Sequence, residues 1–279
     1  MDRRLVYKKM NEKDLRFKIG VSWKISAYKE IEEIGYDFMD VFGVDLLGMS
    51  DADFRETVKT VERGAIPCCN ICLYSPPGFQ MMGDRYSPAE VADYARRMCE
   101  RCAALGMTGI GIGSGHSRTV PENYSIQKAE AQLLEALRIT AGVAAEYDIC
   151  LMVEPLNSFI CNHMLSTKDT VDFIDRVSME NVRMVFDFHH FVIMKEQLED
   201  VKRFIPYIRS VQFNETDTKN GEKRFLTEEN AALYKKQLGT IIDYGYSGTF
   251  CIEAICTDNF YEDAKRSLSI TRHVIESIT

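Results

Sequence analysis

Four side chains with oxygen donors stand in or directly after apolar, β-rich runs in the second half of the chain. They are Glu154, Asp187, Gln212 and Glu253. A carboxylate within an apolar run is costly unless something compensates its charge. Successive members lie 33, 25 and 41 residues apart, and each interval is about one strand and one helix long. One donor on each of four successive strands predicts that all four converge on a single point.

Three carboxylates and one amide oxygen form a hard donor set. Such a set favours Mg²⁺ or Mn²⁺, with Zn²⁺ and Co²⁺ as alternatives that would be better served by histidine or thiolate ligands. A bound dication would also offset the mutual repulsion that otherwise raises the pKa values of neighbouring carboxylates. The pattern therefore predicts one divalent metal ion.

The elements that must position these donors alternate along the chain. Apolar runs predict strands at 17–23, 36–42, 66–73, 109–113, 149–153, 182–186, 210–214 and 249–255. Amphipathic stretches predict helices at 25–34, 51–63, 88–104, 125–146, 166–176, 198–204, 227–244 and 259–278. Eight strands alternating with eight helices predict a closed (β/α)8 TIM barrel of the α/β class. No linker or composition break divides the chain, which predicts one domain over residues 1–279.

Three long loops follow the third, fourth and seventh predicted strands. Because barrel chemistry lies on the loops at the carboxyl ends of the strands, they mark the expected working face. The alternative fold is an open doubly wound sheet, which usually has a glycine-rich first turn. Glycines at 109–115 read GIGIGSG, but they lie in a mid-chain strand without the helix and acidic residue of a dinucleotide site.

Composition excludes several classes of protein. A net charge of −8 argues against nucleic-acid binding, which requires a basic face. No apolar run reaches the length of a membrane helix, and the basic N-terminus lacks the apolar region of a secretion signal. We therefore expect a cytoplasmic protein with no membrane or nucleic-acid partner. Nine cysteines include two pairs with C-x-x-C spacing, but their apolar surroundings favour buried free thiols.

The motifs around the four donors resemble those of the xylose-isomerase-like sugar isomerases and epimerases. These motifs are EPLN at 154–157, D-x-x-H at 187–190, Q-x-x-E at 212–215 and the strand-borne Glu253. This group includes ketose 3-epimerases, hydroxypyruvate isomerase and inosose dehydratase-like proteins. The resemblance covers the whole chain by strand order, with its motifs concentrated between Glu154 and Glu253.

The resemblance implies a role for each of these positions. Glu154, Asp187, Gln212 and Glu253 would be the metal ligands, and Glu154 and Glu253 would also be the acid/base pair. Substrate contacts would come from His190, Glu215, Asn157, His116 and Arg118. Trp23, at the end of the first strand, could be a wall of the pocket or part of the core.

Two positions depart from the family pattern. Many relatives have histidine where Gln212 stands, although the hydroxypyruvate isomerase branch has glutamine. Relatives often continue EPLN with arginine, whereas Ser158 follows here, which leaves Arg118 as the candidate partner of an anionic group.

The expected reaction is proton transfer next to a carbonyl of a small sugar or hydroxy-keto acid, through a metal-stabilised enediolate. The alternative on the same scaffold is a metal-dependent dehydratase of the inosose type. An endonuclease of this fold needs a histidine-rich multi-zinc site and a basic face, which five histidines and the charge of −8 do not supply. A sugar-binding protein without catalysis is a further, less favoured alternative, and the sequence leaves a homo-oligomer open.

Overall fold

A computed structural model describes residues 16–279 and shows a closed barrel of eight parallel strands. The strands are β1 (Ile19–Trp23), β2 (Phe38–Phe42), β3 (Cys68–Cys72), β4 (Gly109–Ile112), β5 (Cys150–Val153), β6 (Val182–Asp187), β7 (Ile208–Phe213) and β10 (Thr249–Ile252). Each strand pairs with the one before it, and β10 closes the ring on β1. Two short strands, β8 (Glu215–Asp217) and β9 (Glu222–Arg224), form a separate antiparallel hairpin. The predicted (β/α)8 barrel is confirmed.

Helices surround the strands. They are α1 (Tyr28–Ile34), α2 (Gly43–Gly48), α3 (Asp51–Glu62), α4 (Pro88–Ala104), α5 (Ile126–Ala145), α6 (Thr167–Val177), α7 (Phe188–Ile193), α8 (Ala231–Asp243) and α9 (Phe260–Glu276). Segments of 3₁₀ helix span Ile25–Ala27, Gly115–Ser117, Leu198–Tyr207 and Glu228–Asn230. The stretch predicted as a helix at 198–204 thus forms a 3₁₀ segment, which contains Pro206 near its end.

Capping side chains fix several of the helix starts. The Ser87 hydroxyl accepts from the amide of Glu90 at 3.3 Å, directly before Pro88 at the first position of α4. The Ser166 hydroxyl accepts from the amide of Asp169 at 3.0 Å at the start of α6. Each bond satisfies an amide that has no partner within its helix. Both caps are as the sequence predicts.

Apolar side chains fill the layer between strands and helices, while the interior of the barrel is partly polar. The buried carboxylate Oδ1 of Asp40 on β2 accepts from the amide and side-chain nitrogens of Asn70 on β3, at 3.0 and 2.9 Å. Ser22 on β1 contacts the Cys251 sulfur on β10 at 3.2 Å. These polar groups of the interior are therefore paired across neighbouring strands, as most buried polar groups are.

Sequence reasoning did not predict α2, α7 or the β8–β9 hairpin. His189 and His190, which follow the sixth predicted strand, lie in a short helix. Helix α7 begins directly after Asp187, whose Oδ1 accepts from the amide of His189 at 2.8 Å. The side-chain cap ends β6 and turns the chain into a helix, so both imidazoles are buried.

All nine cysteines are free thiols, and seven of them are buried. Across residues 16–279, no helix combines the length and apolar character needed to cross a membrane. Residues 1–15 of the predicted domain 1–279 lie outside the described residues. They include most of the basic N-terminus that we do not expect to be a secretion signal.

Candidate active site

The carboxyl ends of four adjacent strands position the four predicted ligands. Asp187 on β6 pairs in register with Gln212 on β7. Glu154 extends β5 by one residue, because its backbone amide donates a hydrogen bond to the Ile112 carbonyl oxygen at 3.4 Å. Glu253 extends β10 in the same way, donating to Phe213 at 3.2 Å. Because all four residues stand at the carboxyl ends of strands, they lie at the same end of the barrel. All four are buried and are therefore shielded from water.

Lys223, on β9, joins two of these carboxylates. Its Nζ donates to Asp187 Oδ2 at 2.6 Å and to Glu253 Oε2. The side chain is 14% exposed. Lys223 is therefore mostly buried, although it stands in a charged stretch of the long loop that follows the seventh predicted strand. A lysine in a polar loop gives no local signal of burial, although its place after the seventh barrel strand marks the working face.

Glu154, Asp187 and His190 form the tightest group. Their ligand atoms all lie within 4.8 Å of one another. His190 Nε2 is 3.2 Å from Glu154 Oε1 and 3.7 Å from Asp187 Oδ2. Because the other ring nitrogen, Nδ1, accepts from Asn157 Nδ2 at 2.9 Å, the proton of a neutral ring lies on Nε2 and faces the carboxylates.

Gln212 has a different environment from the carboxylates. It is 4% exposed, and its Oε1 is buried without a hydrogen-bond partner. An unpaired buried acceptor is unfavourable, which fits an oxygen that serves as a ligand.

Burial and the lysine charge set the pKa values of the carboxylates. Burial raises the pKa of Glu154 to about 7, against the opposing charge of Lys223. Burial likewise raises the pKa of Glu253 to about 7. Burial alone would also raise the pKa of Asp187, but the charge of Lys223 lowers it below its usual range. Asp187 therefore stays ionised, whereas the pKa values of Glu154 and Glu253 lie near neutral pH.

Gly113, directly after β4, makes room for the Glu154 carboxylate. A Cβ at this position would lie 1.8 Å from Glu154 Oε2. Gly109 and Gly111 also face close neighbours, since a Cβ would lie 2.1 Å from Asn70 Oδ1 and 2.9 Å from the Ile71 carbonyl oxygen. The glycines of this strand thus serve close packing, in agreement with our rejection of a dinucleotide site.

Two predicted substrate residues lie in the loop after β4. Arg118 is fully buried, and its Nη2 donates to the backbone oxygen of Glu154. Its Nε and Nη1 atoms have no hydrogen-bond partner. His116 is exposed and bonds through Nε2 to the Pro76 carbonyl oxygen at 2.8 Å. Arg118 thus lies directly beside Glu154, whereas the side chain of His116 is engaged by the loop after β3.

Glu215 and Trp23 lie in other surroundings. The Glu215 carboxylate accepts from Thr227 at 3.1 Å, from Asn230 at 2.9 Å and from the Tyr234 hydroxyl, and it lines a side cavity of about 560 Å³. These contacts engage its oxygens outside the Glu154–Asp187–His190 group. Trp23 is partly buried and stacks on Phe260 with ring centroids 4.5 Å apart, so its larger contact is with the core.

The β8–β9 hairpin and the loop after β5 are in contact. The ring of Phe159 lies against Gly221, where an added Cβ would be 3.0 Å from Phe159 Cδ2. Gly221 has φ +70°, a conformation that other residues rarely adopt. This contact links the segment that carries Lys223 to the segment that follows Glu154.

Two curated proteins are similar to this chain. The hydroxypyruvate isomerase of Escherichia coli (strain K12) is 31% identical over 97 residues, 34% of this chain and 36% of that enzyme. The chain therefore spans about a third of that relative's length. An inosose isomerase from Bacillus velezensis is 20% identical over 265 residues, 88% of this chain and 89% of that protein.

Solved structures share the fold. A D-psicose 3-epimerase in the presence of D-fructose has a TM-score of 0.77 at 19% identity, covering 93% of this chain and 99% of that one. The IolI protein with a bound zinc atom has a TM-score of 0.73 at 15% identity, covering 94% and 99%. The profile of the xylose isomerase-like TIM barrel family matches residues 28–274. This match spans most of the chain, and together with the closed parallel barrel it shows that the chain belongs to the xylose isomerase-like TIM barrel family.

Proposed function

We propose that this protein is a divalent-metal-dependent isomerase or epimerase of a small sugar or hydroxy-keto acid. The observation that carries the proposal is the group of buried carboxyls at one end of the barrel. Oxygens of Glu154 and Asp187 lie within 4.8 Å of each other, and Asp187 and Glu253 share the ammonium group of Lys223. A carboxyl held next to a substrate carbonyl can act as a general acid or base. The similar hydroxypyruvate and inosose isomerases support the reaction class.

The donor set fits a divalent cation. Three carboxylates and one lysine leave an excess of two negative charges, and the unpaired Oε1 atoms of Gln212 and Glu154 are available as ligands. Glu154, Asp187, Gln212 and Glu253 would hold the ion, with Mn²⁺ or Mg²⁺ favoured by oxygen donors. When bound, such an ion stabilises negative charge that develops on a carbonyl oxygen.

The protein's own groups perform the proton transfer. One of Glu154 and Glu253 removes the proton from the carbon next to the carbonyl. If the same carboxyl returns it to the neighbouring carbon, the product is an isomer; if the other glutamate supplies a proton to the opposite face, the product is an epimer. The two strand ends lie three strands apart around the ring, so they approach a substrate from different sides.

Other groups bind the substrate and exclude water. His190, held by Asn157, presents its Nε2 proton toward the carboxylates and donates to a substrate oxygen. Arg118 has two free donors beside Glu154 and neutralises an anionic group. Glu154, Asp187, Gln212 and Glu253 are all buried, and the exclusion of water strengthens the electrostatic interactions among them.

Metal analysis and a substrate panel test the proposal. We expect about one Mn²⁺ or Mg²⁺ per chain and conversion of hydroxypyruvate or a ketose to a product of unchanged mass, measured by mass spectrometry. A product lighter by one water would replace the isomerase with a dehydratase. Absence of a stoichiometric ion, together with no rise in melting temperature on adding Mn²⁺, would contradict the metal site.

A further inference from the structure

Lys223 has a backbone held by hydrogen bonds and a long side chain that ends in the site. Its backbone oxygen accepts from the amides of Ile255 and Cys256 at 3.0 and 3.1 Å, and its residue pairs with Thr216 across the hairpin. These bonds attach the hairpin to the chain that follows Glu253. The lysine stem itself has four rotatable bonds, so its ammonium group can move while the backbone stays in place.

The ammonium group of Lys223 lies between two carboxylates and contacts both. It contacts Asp187 Oδ2 at 2.6 Å and also Glu253 Oε2, and its side chain is 14% exposed. A buried charge is tolerated only when it is paired. In this arrangement the lysine compensates the two carboxylates on the β6 and β10 side of the mouth, while Glu154 faces His190 instead.

A divalent ion held by the four predicted ligands would need the same two carboxylates. At contact distance, an ammonium group and a dication repel strongly, and they would share the same oxygens. We propose that Lys223 is a tethered cation that competes with the divalent ion for Asp187 and Glu253, so metal binding requires its ammonium group to leave them. This inference rests on the proposed metal site and adds an internal competitor to it.

Competition makes a prediction about binding in the absence of substrate. Lys223→Met removes the charge and keeps a stem of similar length, so the metal-free protein should bind Mn²⁺ on the order of tenfold more tightly or better than the unmodified protein. Lys223→Arg keeps a cation and should retain weak binding. Isothermal titration calorimetry with Mn²⁺ measures all three.

Lys219→Met provides the matched control. Lys219 lies in the same hairpin but is exposed, so its loss changes the net charge equally without opening the site. We expect its Mn²⁺ affinity to be close to that of the unmodified protein, because surface charges are screened by solvent and salt. Circular dichroism of each variant confirms that it is folded before titration.

A second measurement uses the unmodified protein. If Mn²⁺ displaces the ammonium group, Lys223 becomes more reactive towards acetic anhydride, while Lys219 reacts equally with and without the ion. Peptide mass spectrometry quantifies both sites. This experiment keeps the inference testable if Lys223→Met does not fold.

The outcomes separate the inference from the metal site. Equal Mn²⁺ affinity of the unmodified protein and Lys223→Met, or weaker binding by the variant, would overturn the competition and leave the metal site standing. Binding of Mn²⁺ by none of the proteins would overturn both. Tighter binding by Lys223→Met alone, with higher Lys223 reactivity in Mn²⁺, would support both.

Discussion

The two halves of the barrel have different tasks. In the second half, β5, β6, β7 and β10 end in buried side chains that carry a carboxylate or an amide oxygen. These side chains lie at the same end of the barrel. In the first half, the strand ends supply space and walls, as Gly113 does for Glu154 and Trp23 does by stacking on Phe260. Both halves bury a carboxylate, but Asp40 in the first half is bound by Asn70, whereas Asp187 in the second is bound by Lys223.

The partners of these two buried carboxylates differ in chemistry. Asp40 receives two hydrogen bonds from a neutral neighbour on the adjacent strand. Asp187 is bound by the ammonium group of Lys223, which comes from the β8–β9 hairpin. A neutral partner on the adjacent strand fits a permanent role in the fold, whereas the cation from the hairpin is the group that the proposed metal ion would replace.

The largest expected effect comes from the second half. Glu154→Gln and Glu253→Gln each remove a proton-transfer group, which typically contributes ~10²- to 10⁴-fold. We expect kcat to fall by about that factor on the substrate identified by the panel, measured by steady-state kinetics. The matched control is Asp40→Asn, which removes a buried carboxylate of the first half and should leave turnover nearly unchanged. Equal losses in all three variants would erase the distinction between the halves.

An intermediate effect is expected where the first half makes room for the second. Gly113→Ala places a methyl group within van der Waals overlap of Glu154 Oε2 and must displace that carboxylate. Because a shift of ~1 Å in a reacting group can reduce the rate ~10²-fold, we expect kcat to fall by about that factor. The control is Gly142→Ala on α5, where the added Cβ meets no atom within 4 Å; it should retain full turnover. Normal turnover in Gly113→Ala would show that Glu154 can act from another position.

The smallest effect concerns stability and pH. Burial raises the pKa of Asp40 from its ordinary 3.8 to about 7, with the hydrogen bonds from Asn70 opposing the shift. The folded state therefore binds this proton more tightly than the unfolded state does. The contribution of Asp40 to stability is fully present below pH 3.8 and is lost as the pH rises through about 7. We expect the free energy of unfolding to fall by ~1–2 kcal/mol more between pH 5 and pH 8 than in Asp40→Asn.

Urea denaturation at both pH values measures the Asp40 effect. Asparagine keeps an oxygen that accepts from Asn70, so the variant is expected to fold. If the unfolding free energies of the two proteins changed identically between the two pH values, Asp40 would be ionised at both. Asp40 would then be ionised in the folded state as Asp187 is, and this contrast between the halves would be lost.

The barrel could be predicted because its strands carry a local signal. Short apolar runs bounded by turns located all eight barrel strands to within three residues of their observed ends. The capping serines before α4 and α6 gave the starts of those helices. These features depend on residues close in sequence, which is why reasoning from one sequence finds them.

The rest depends on partners distant in sequence. Lys223 looks like any lysine of a polar loop, and only the return of the hairpin over the barrel brings it to Asp187, 36 residues earlier. Helix α7 is short, and the residue that caps its start is Asp187, which the sequence predicts as a metal ligand. Glu215 follows the family motif in sequence, yet its contacts with Asn230 and Tyr234 come from the segment before α8 and from α8 itself.

The junction of β6 and α7 has a consequence for how such an enzyme can diversify. One carboxylate there is both the last residue of a strand and the cap of the next helix, with one oxygen bound to an amide and the other turned to the site. No linker separates the two elements, so insertions at this point would break the strand, the cap and the ligand together. The β8–β9 hairpin on the same face is not bound by this constraint, because its turn at Gly221 lies outside the barrel strands.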